Sequence, residues 1–566
     1  MTIKITKQLA TMEDLAIGTG TVVQERNGVP LTLTKIDFTA TVSNVAEMQE
    51  RQTVVGIVIQ TLGYYSEGDG GGNTYEVVAG GTGTDDGGTF IDMANGLQAK
   101  GLFKNVASTL QYGATQSKLG SVIEKLSVIG VKDIFVEVVG YLNNTDTIEF
   151  SNITDTNITF LSTLVESSII DAPILKISNL SFCKITLPAI TGAENFASWD
   201  AISRPRITIE ESKNCIIETK KITNCSSVIK LTECDNCYLY VNKMVGILTS
   251  KTILDDRISV AVNFFRGQGN KVIGGEFISF GNAILQEMGG QKLLISGSII
   301  KDSIDNGIYI SSGDNCKVVN CHVEGLVVDS LPVCGGIKMR GRKNICSNNT
   351  ILDTADSIMI TGYGTAAPSE NNYTSWGTVV ECNVIEGFDG IAIRLDSFDQ
   401  GDGSLGFVKN ATVSGNTIKN NYASNITPAI RLLEVTNINI SNNTFDDISG
   451  NVPVIGVFGS QATPCSNITI SGNVFTSISS DEIIRATYAV DLLIVNNNVE
   501  FETVLSGFAC EIRNSNRGII TGNIFSDRIN VDQDFLSTNF IIANNIVSVF
   551  TPQNDPSNLK GNELIV

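Results

Sequence analysis

From about residue 150 onward the hydrophobic positions come in short bursts. Runs of four to six residues alternate apolar and polar, and each run is closed by Asn, Gly, Ser or Asp. Alternation of period two predicts strands with one buried face. One burst recurs with a fixed opening: "SNNTIL" at Ser347, "ECNVIE" at Glu381, "SGNTIK" at Ser414, "SNNTFD" at Ser441, "SGNVFT" at Ser471, "VNNNVE" at Val495, "TGNIFS" at Thr521 and "ANNIVS" at Ala543. Aligned, these place Asn349, Asn383, Asn416, Asn443, Asn473, Asn498, Asn523 and Asn545 in one slot, with Cys321, Ser298 and Glu276 occupying it upstream. A second strand recurs in each unit, as "GIYIS" at Gly307, "GIKMR" at Gly336, "SIMIT" at Ser357, "GIAIR" at Gly390, "AIRLL" at Ala429 and "VIGVF" at Val454. The alignment turns Ile308, Ile337, Ile358, Ile391, Ile430 and Ile455 inward.

Strands this short cannot bury a face alone, whereas stacked coils share one continuous core. An Asn repeated at a bend fits such a coil, because its amide bonds backbone and neighbouring side chains. The unequal repeat length means loops of varied size on a constant coil, unlike the even blades of a propeller. The predicted fold is all-β, a right-handed parallel β-helix (a solenoid) with a short capping helix. "LQYGATQSKLGSVIEKLSVIGVKDIFVEVVGYL" (Leu110–Leu142) predicts a turn, an amphipathic helix from about Ser117 and a strand. The expected divisions are a small N-terminal β segment over 1–35, a Gly-rich neck or entry region over 36–110, the β-helix over 111–550, and a C-terminal cap or tail over 551–566.

Composition narrows the partners. The 566 residues include 59 acidic and 39 basic ones, a net charge of −20. Such a surface repels nucleic acid and anionic membrane, so no nucleic-acid partner is expected. No run reaches the roughly 18 apolar residues that span a bilayer, so no membrane insertion is expected. The N-terminus lacks an apolar signal core, which predicts assembly in a cytoplasm. Of the 12 Cys, Cys234 and Cys237 form a CxxC pair, but no second pair follows at finger spacing and His322 is the single histidine. Buried thiols without disulfides, no metal and no cofactor are therefore expected. "GDGGGN" lacks the GK[ST] of a phosphate loop, and Glu67 and Asp69 would repel phosphate.

"TLGYYSEGDGGGNTYEVV" (Thr61–Val78), "DDGGTFIDM" (Asp85–Met93) and "LQYGATQ" ahead of a helix and a repeat array resemble the entry region of bacteriophage tailspikes. Many of those are capsular polysaccharide depolymerases on a pectate-lyase-like β-helix. The resemblance implies a homotrimer on the virion tail, attached to the phage tail or baseplate through its particle-proximal N-terminus. It further implies assembly in the host cytoplasm, and binding and cleavage of bacterial capsular or surface polysaccharide at the host surface. The usual "GDGVTDDT" is replaced here by "YGATQSKLGS". The family shares no catalytic motif, so no residue role carries over.

Candidate chemistry must come from the coil. Glycoside hydrolysis needs two carboxylates, about 5–5.5 Å apart for retention or about 6.5–9.5 Å for inversion. Rungs about 4.8 Å apart supply such spacings. In the alignment one outward column holds Tyr309, Lys338, Met359, Ala392, Arg431 and Gly456. The next holds Ser311, Arg340, Thr361, Arg394, Leu433 and Phe458. Lys338, Arg340, Arg394 and Arg431 thus form a basic cluster suited to an acidic sugar. Asp356 and Asp389 precede their strands, Asp396 and Glu434 follow theirs, and Glu287 ends an equivalent strand. These five carboxylates are the catalytic candidates. Two excursions, over 362–377 and 397–407, are expected to wall a groove, with Tyr363, Tyr373 and Trp376 as stacking rings. Glu482 and Arg485 could form a separate site further along. Plainer readings stand beside these: Asp356 and Asp389 as turn residues, the arginines as a solvated ladder, Trp376 at a subunit interface. Asp396–Asp402 lacks the DxDxDG spacing of a calcium loop. Three functions follow: a depolymerase acting by hydrolysis, a lyase using Lys338 and Tyr309, or a non-enzymatic glycan-binding adhesin.

Overall fold

A computed structural model describes residues 23–26, 29–32, 39–138, 147–165, 172–192, 205–246, 259–328, 331–332, 335–362, 375–399, 405–422, 427–500, 508–525, 529–531, 537–547, 559–560 and 563–564. The chain divides into two compact units, Met1–Val165 with Ser181–Pro188, and Glu166–Leu180 with Ala189–Val566.

In the first unit, Val23–Arg26 and Val29–Thr32 form an antiparallel hairpin. A five-stranded sheet follows, in the order Thr39–Val42, Val58–Thr61, Thr74–Val78, Gln98–Gly101, Phe90–Asp92. Its alternating Ile59, Tyr75 and Val77 meet Val45 and Met48 of α1 (Val45–Glu50) in one core. The Gly-rich turn is organised by the Asp69 carboxylate, which accepts from the backbone N–H groups of Tyr64, Tyr65, Ser66 and Gly71. Helix α2 (Leu119–Val128) buries Leu119, Val122, Ile123 and Leu126, and Glu124 Oε1 accepts from Ser151 N at 2.7 Å. The helix lies so close to the strand Ile148–Ser151 that a Cβ at Gly120 would stand 1.8 Å from the Glu149 carbonyl oxygen. Strands Val106–Ser108, Asp133–Val136, Asn157–Phe160 and Lys184–Thr186 then pair in parallel.

The second unit is a parallel β-helix whose rungs each give one strand to each of three parallel sheets. One of these sheets contains β1 (Asn282–Glu287), β2 (Asn306–Ile310), β3 (Gly335–Met339), β4 (Ile358–Thr361), β5 (Ile393–Asp396), β6 (Ile430–Leu433), β7 (Ser449–Phe458), β8 (Ser479–Thr487) and β9 (Cys510–Arg513). Consecutive members pair in register, so identical side chains stack. Ile308, Ile337, Ile358, Ile393, Ile430, Ile455 and Ile484 form one fully buried column. Each buried Ile contributes about 1.5–3 kcal/mol, against the entropy of ordering it.

The bend asparagines form a ladder. Asn349, Asn383, Asn416, Asn443, Asn473, Asn497 and Asn523 each donate from Nδ2 to the Oδ1 of the next, at 2.9–3.0 Å, ending on Asn545. The backbone N–H of each also donates to the same oxygen. All are buried. The residue before each is left-handed, at Asn348, Cys382, Gly415, Asn442, Gly472, Asn496, Gly522 and Asn544. That explains the Asn-Asn and Gly-Asn pairs, since Gly and Asn tolerate that conformation best.

Three alignments are corrected. Asn497 holds the ladder position and Asn498 begins the following strand, exposed. Upstream the slot falls on Gly275, because Glu276 pairs with Ile299, the residue after Ser298. Ile393 holds the inward column where Ile391 was expected, a shift of two residues. Alternation of period two is unchanged by such a shift, so polarity alone cannot detect it.

Candidate functional site

The register shift rebuilds the outward face. The first outward column reads Tyr309, Lys338, Met359, Arg394, Arg431, Gly456, Arg485 and Glu511. The second places Asp396 beside Thr361 and Leu433. Asp396 therefore lies within β5, two residues after Arg394 on the same face, instead of following the strand. Its carboxylate is 1% exposed. Arg394 Nε and Arg431 Nη2 both donate to Oδ2, and Arg431 Nε donates to Oδ1 at 3.2 Å. Arg394 Nη1 reaches Asp356 Oδ2 at 3.2 Å, while Ile391 N donates to Asp356 Oδ1 at 3.0 Å.

Asp356, Arg394, Asp396 and Arg431 are thus one network spanning β4 to β6. Its arginines are 27% and 23% exposed. Burial lowers the Arg394 pKa, but Asp396 and Asp356 outweigh it and hold the guanidinium charged. Breaking one member of such a network leaves an uncompensated charge. Both Asp396 oxygens accept from guanidinium donors.

Two rungs before, Lys338 Nζ lies 4.9 Å and Arg340 5.4 Å from the Tyr309 ring centre. Arg340 Nε donates to Thr361 Oγ1 at 3.0 Å. Glu434 is half-buried in a left-handed turn, and its carbonyl accepts from Ser397 Oγ. Asp389 is half-buried, its N–H donating to the Thr354 carbonyl. Its charge helps push the Tyr422 hydroxyl up to about 12, after burial and the hydrogen bond to Asp353. Glu287 stands apart on β1, accepting from Asn263 Nδ2 at 3.0 Å. With β2, β3 and β4 between β1 and β5, it is about 19 Å along the coil from Asp396. Trp376 belongs to an adjoining sheet, with Lys343 Nζ 5.4 Å from its ring. Tyr363 and Tyr373 lie outside the described residues, as does Asp402.

A second charged cluster occupies the same face on β8 and β9. Arg485 bonds Glu482 Oε1, and its Nε reaches Glu511 Oε2 at 3.3 Å. Arg513 Nη2 reaches Glu511 Oε1 at 2.7 Å. Both carboxylates are buried. Burial raises the Glu482 pKa, Arg485 opposes the rise, and Glu511 adds to it. Sequence reading paired Glu482 with Arg485 but missed Glu511 and Arg513. The signal was available: "CEIR" follows "IIRAT" with the same alternation, one coil later.

The thiols behave as small buried hydrophobes. Cys183, Cys215, Cys225, Cys234, Cys237, Cys316, Cys321, Cys346, Cys465 and Cys510 are buried thiols and Cys382 is an exposed one, with no disulfide among the described residues. Burial pushes the Cys321 thiol up to about 11 and that of Cys316 to about 12. Such thiols are poor nucleophiles and poor metal ligands. Among the described residues no cluster of three or more His, Cys, Asp or Glu is arranged to hold a metal ion. No helix among them is long and apolar enough to cross a membrane.

No protein-family model matches the chain, and no curated protein matches it. Several solved structures are distantly similar. A mutant tailspike protein of E. coli bacteriophage HK620 in complex with a hexasaccharide superposes with a TM-score of 0.42 at 13% identity, over 77% of this chain and 76% of that one. The tailspike protein of Acinetobacter baumannii phage AM24 gives 0.33 at 13%, over 82% and 65%. The A-module of the Azotobacter vinelandii mannuronan C-5 epimerase AlgE6 gives 0.33 at 9%, over 79% and 100%.

Proposed function

We propose that this chain is a phage tailspike that binds and depolymerises a bacterial capsular or surface polysaccharide, by hydrolysis. The observation that carries the reading is the in-register strip on β2–β6. In a chain of net charge −20 it gathers Lys338, Arg340, Arg394 and Arg431 against Asp356 and Asp396, with Tyr309 in the same column. Guanidiniums aimed by buried carboxylates suit an anionic, hydroxyl-rich chain running along the coil. Asp396 is the electrostatic anchor. Asp389, Asp356 and Glu434, at the borders of the cluster, move the protons: one carboxyl protonates the leaving oxygen and an ionised one activates water or attacks the sugar. The protein acts as a homotrimer on the virion tail, attached through its N-terminal segment and assembled in the host cytoplasm.

The stacking of Lys338 on Tyr309 favours one second reading, β-elimination on a uronic acid with Lys338 or Tyr309 as base. Digestion of surface polysaccharide separates the readings. Hydrolysis gives saturated products and is lost in D389N or E434Q, whereas elimination gives products with ultraviolet absorbance and is lost in K338A. Binding without any product selects the adhesin.

A further inference from the structure

The two charged clusters are joined by a feature that neither explains. Arg431, Gly456 and Arg485 occupy successive positions of one outward column. At Gly456 the ring of Phe458, from the same strand, fills the place of a side chain. A Cβ there would stand 2.3 Å from Phe458 Cε2, 2.6 Å from Cζ and 2.9 Å from Pro428 Cγ. The column thus reads guanidinium, aromatic floor, guanidinium. With rungs about 4.8 Å apart, the two arginine positions are about 10 Å apart across the ring, which leaves room for one sugar unit.

Both guanidiniums are fixed from beneath, Arg431 by Asp396 and Arg485 by Glu482 and Glu511. Arg431 and Arg485 are 23% and 26% exposed, and Phe458 is half-buried. Little side-chain entropy is left to lose when a ligand docks. Glu482 Oε2 is buried and has no hydrogen-bond partner among the described residues. Burial and Glu511 favour its protonated form.

We propose that Arg431, Phe458 and Arg485 form a saccharide subsite for a pyranose bearing a carboxylate. The apolar face of the sugar lies on the Phe458 ring, and a guanidinium fork takes the carboxylate. This assignment rests on the reading above in taking the ligand to be a polysaccharide.

The test is a glycan array carrying acidic and neutral bacterial saccharides, probed with the full chain and with F458A, G456A and R485K, each with its melting temperature. R485K keeps a charge for Glu511 but loses the fork, and G456A displaces the ring without removing it. The expected result is wild-type signal on carboxylate-bearing glycans, weakened at least about tenfold in F458A and R485K at a temperature well below the melting temperature of each variant. Signal on neutral glycans only, or acidic-glycan binding that F458A, G456A and R485K all retain, overturns the subsite and leaves the polysaccharide reading standing. No signal on any glycan overturns both.

Discussion

Asn497 and Asn498 are adjacent, chemically identical and predicted to differ sharply. Asn497 Oδ1 accepts from Asn473 N at 3.1 Å and Asn473 Nδ2 at 2.9 Å, and its Nδ2 donates to the Ile470 carbonyl at 3.0 Å and to Asn523 Oδ1 at 2.9 Å. Asn497→Ala orphans the Asn473 N–H in a buried bend, takes one donor from the Ile470 carbonyl, and leaves Asn473 Nδ2 without its ladder acceptor. Each orphaned buried group costs about 1–3 kcal/mol. Asn473 Nδ2 keeps its bond to the Ile440 carbonyl at 3.1 Å. The loss is therefore about 2–4 kcal/mol, a large part of a typical stability. Asn498→Ala removes an exposed side chain and should stay within about 0.5 kcal/mol. Urea unfolding of both variants decides the matter, with thermal inactivation rates as the fallback if refolding fails. Equal losses, or a larger loss for Asn498→Ala, would refute the ladder.

Further outcomes follow from the charged groups. Asp396→Asn should cost about 3 kcal/mol by leaving Arg431 without its carboxylate and Arg394 with Asp356 alone, read as a lowered urea midpoint; an unchanged midpoint contradicts the network. Glu482 has a folded pKa above its ordinary 4.5. Its stabilising effect is complete below that value and fades as pH rises toward the folded pKa. Glu482→Gln should flatten that stretch of the stability–pH curve, and an unaltered slope speaks against a retained proton. At Asp69 burial raises the pKa, but the backbone N–H groups of Gly71, Tyr64, Ser66 and Tyr65 outweigh it and the net shift is downward. Its contribution is present above the ordinary 3.8 and lost as pH falls below it. Asp69→Asn should abolish that loss and open the Gly-rich turn to protease.

Most of the coil was legible in the sequence because its defining feature is a repeat. The Asn-Asn and Gly-Asn pairs mark a left-handed residue followed by a ladder residue, two steric demands that few residue types meet together. Where the sequence runs Asn496-Asn497-Asn498 the mark loses its phase. A different degeneracy put Ile391 in the place of Ile393 in "GIAIRLD": a shift of two residues preserves the inside–outside pattern. For the candidate site that slip mattered. It separated Arg394 from Arg431 and put Asp396 beyond the strand, so the network of four charged groups was read as loose candidates. The ring of Phe458 over Gly456 had no sequence signature, because it depends on how a side chain leans along its own strand.

The most direct test of function uses polysaccharide extracted from bacteria to whose surface the protein binds, incubated with the protein and analysed by mass spectrometry. The account predicts release of short saturated oligosaccharides whose new ends carry the elements of water, and whose repeat contains a carboxylate-bearing sugar. Recovery of that bound polysaccharide at full length would contradict it.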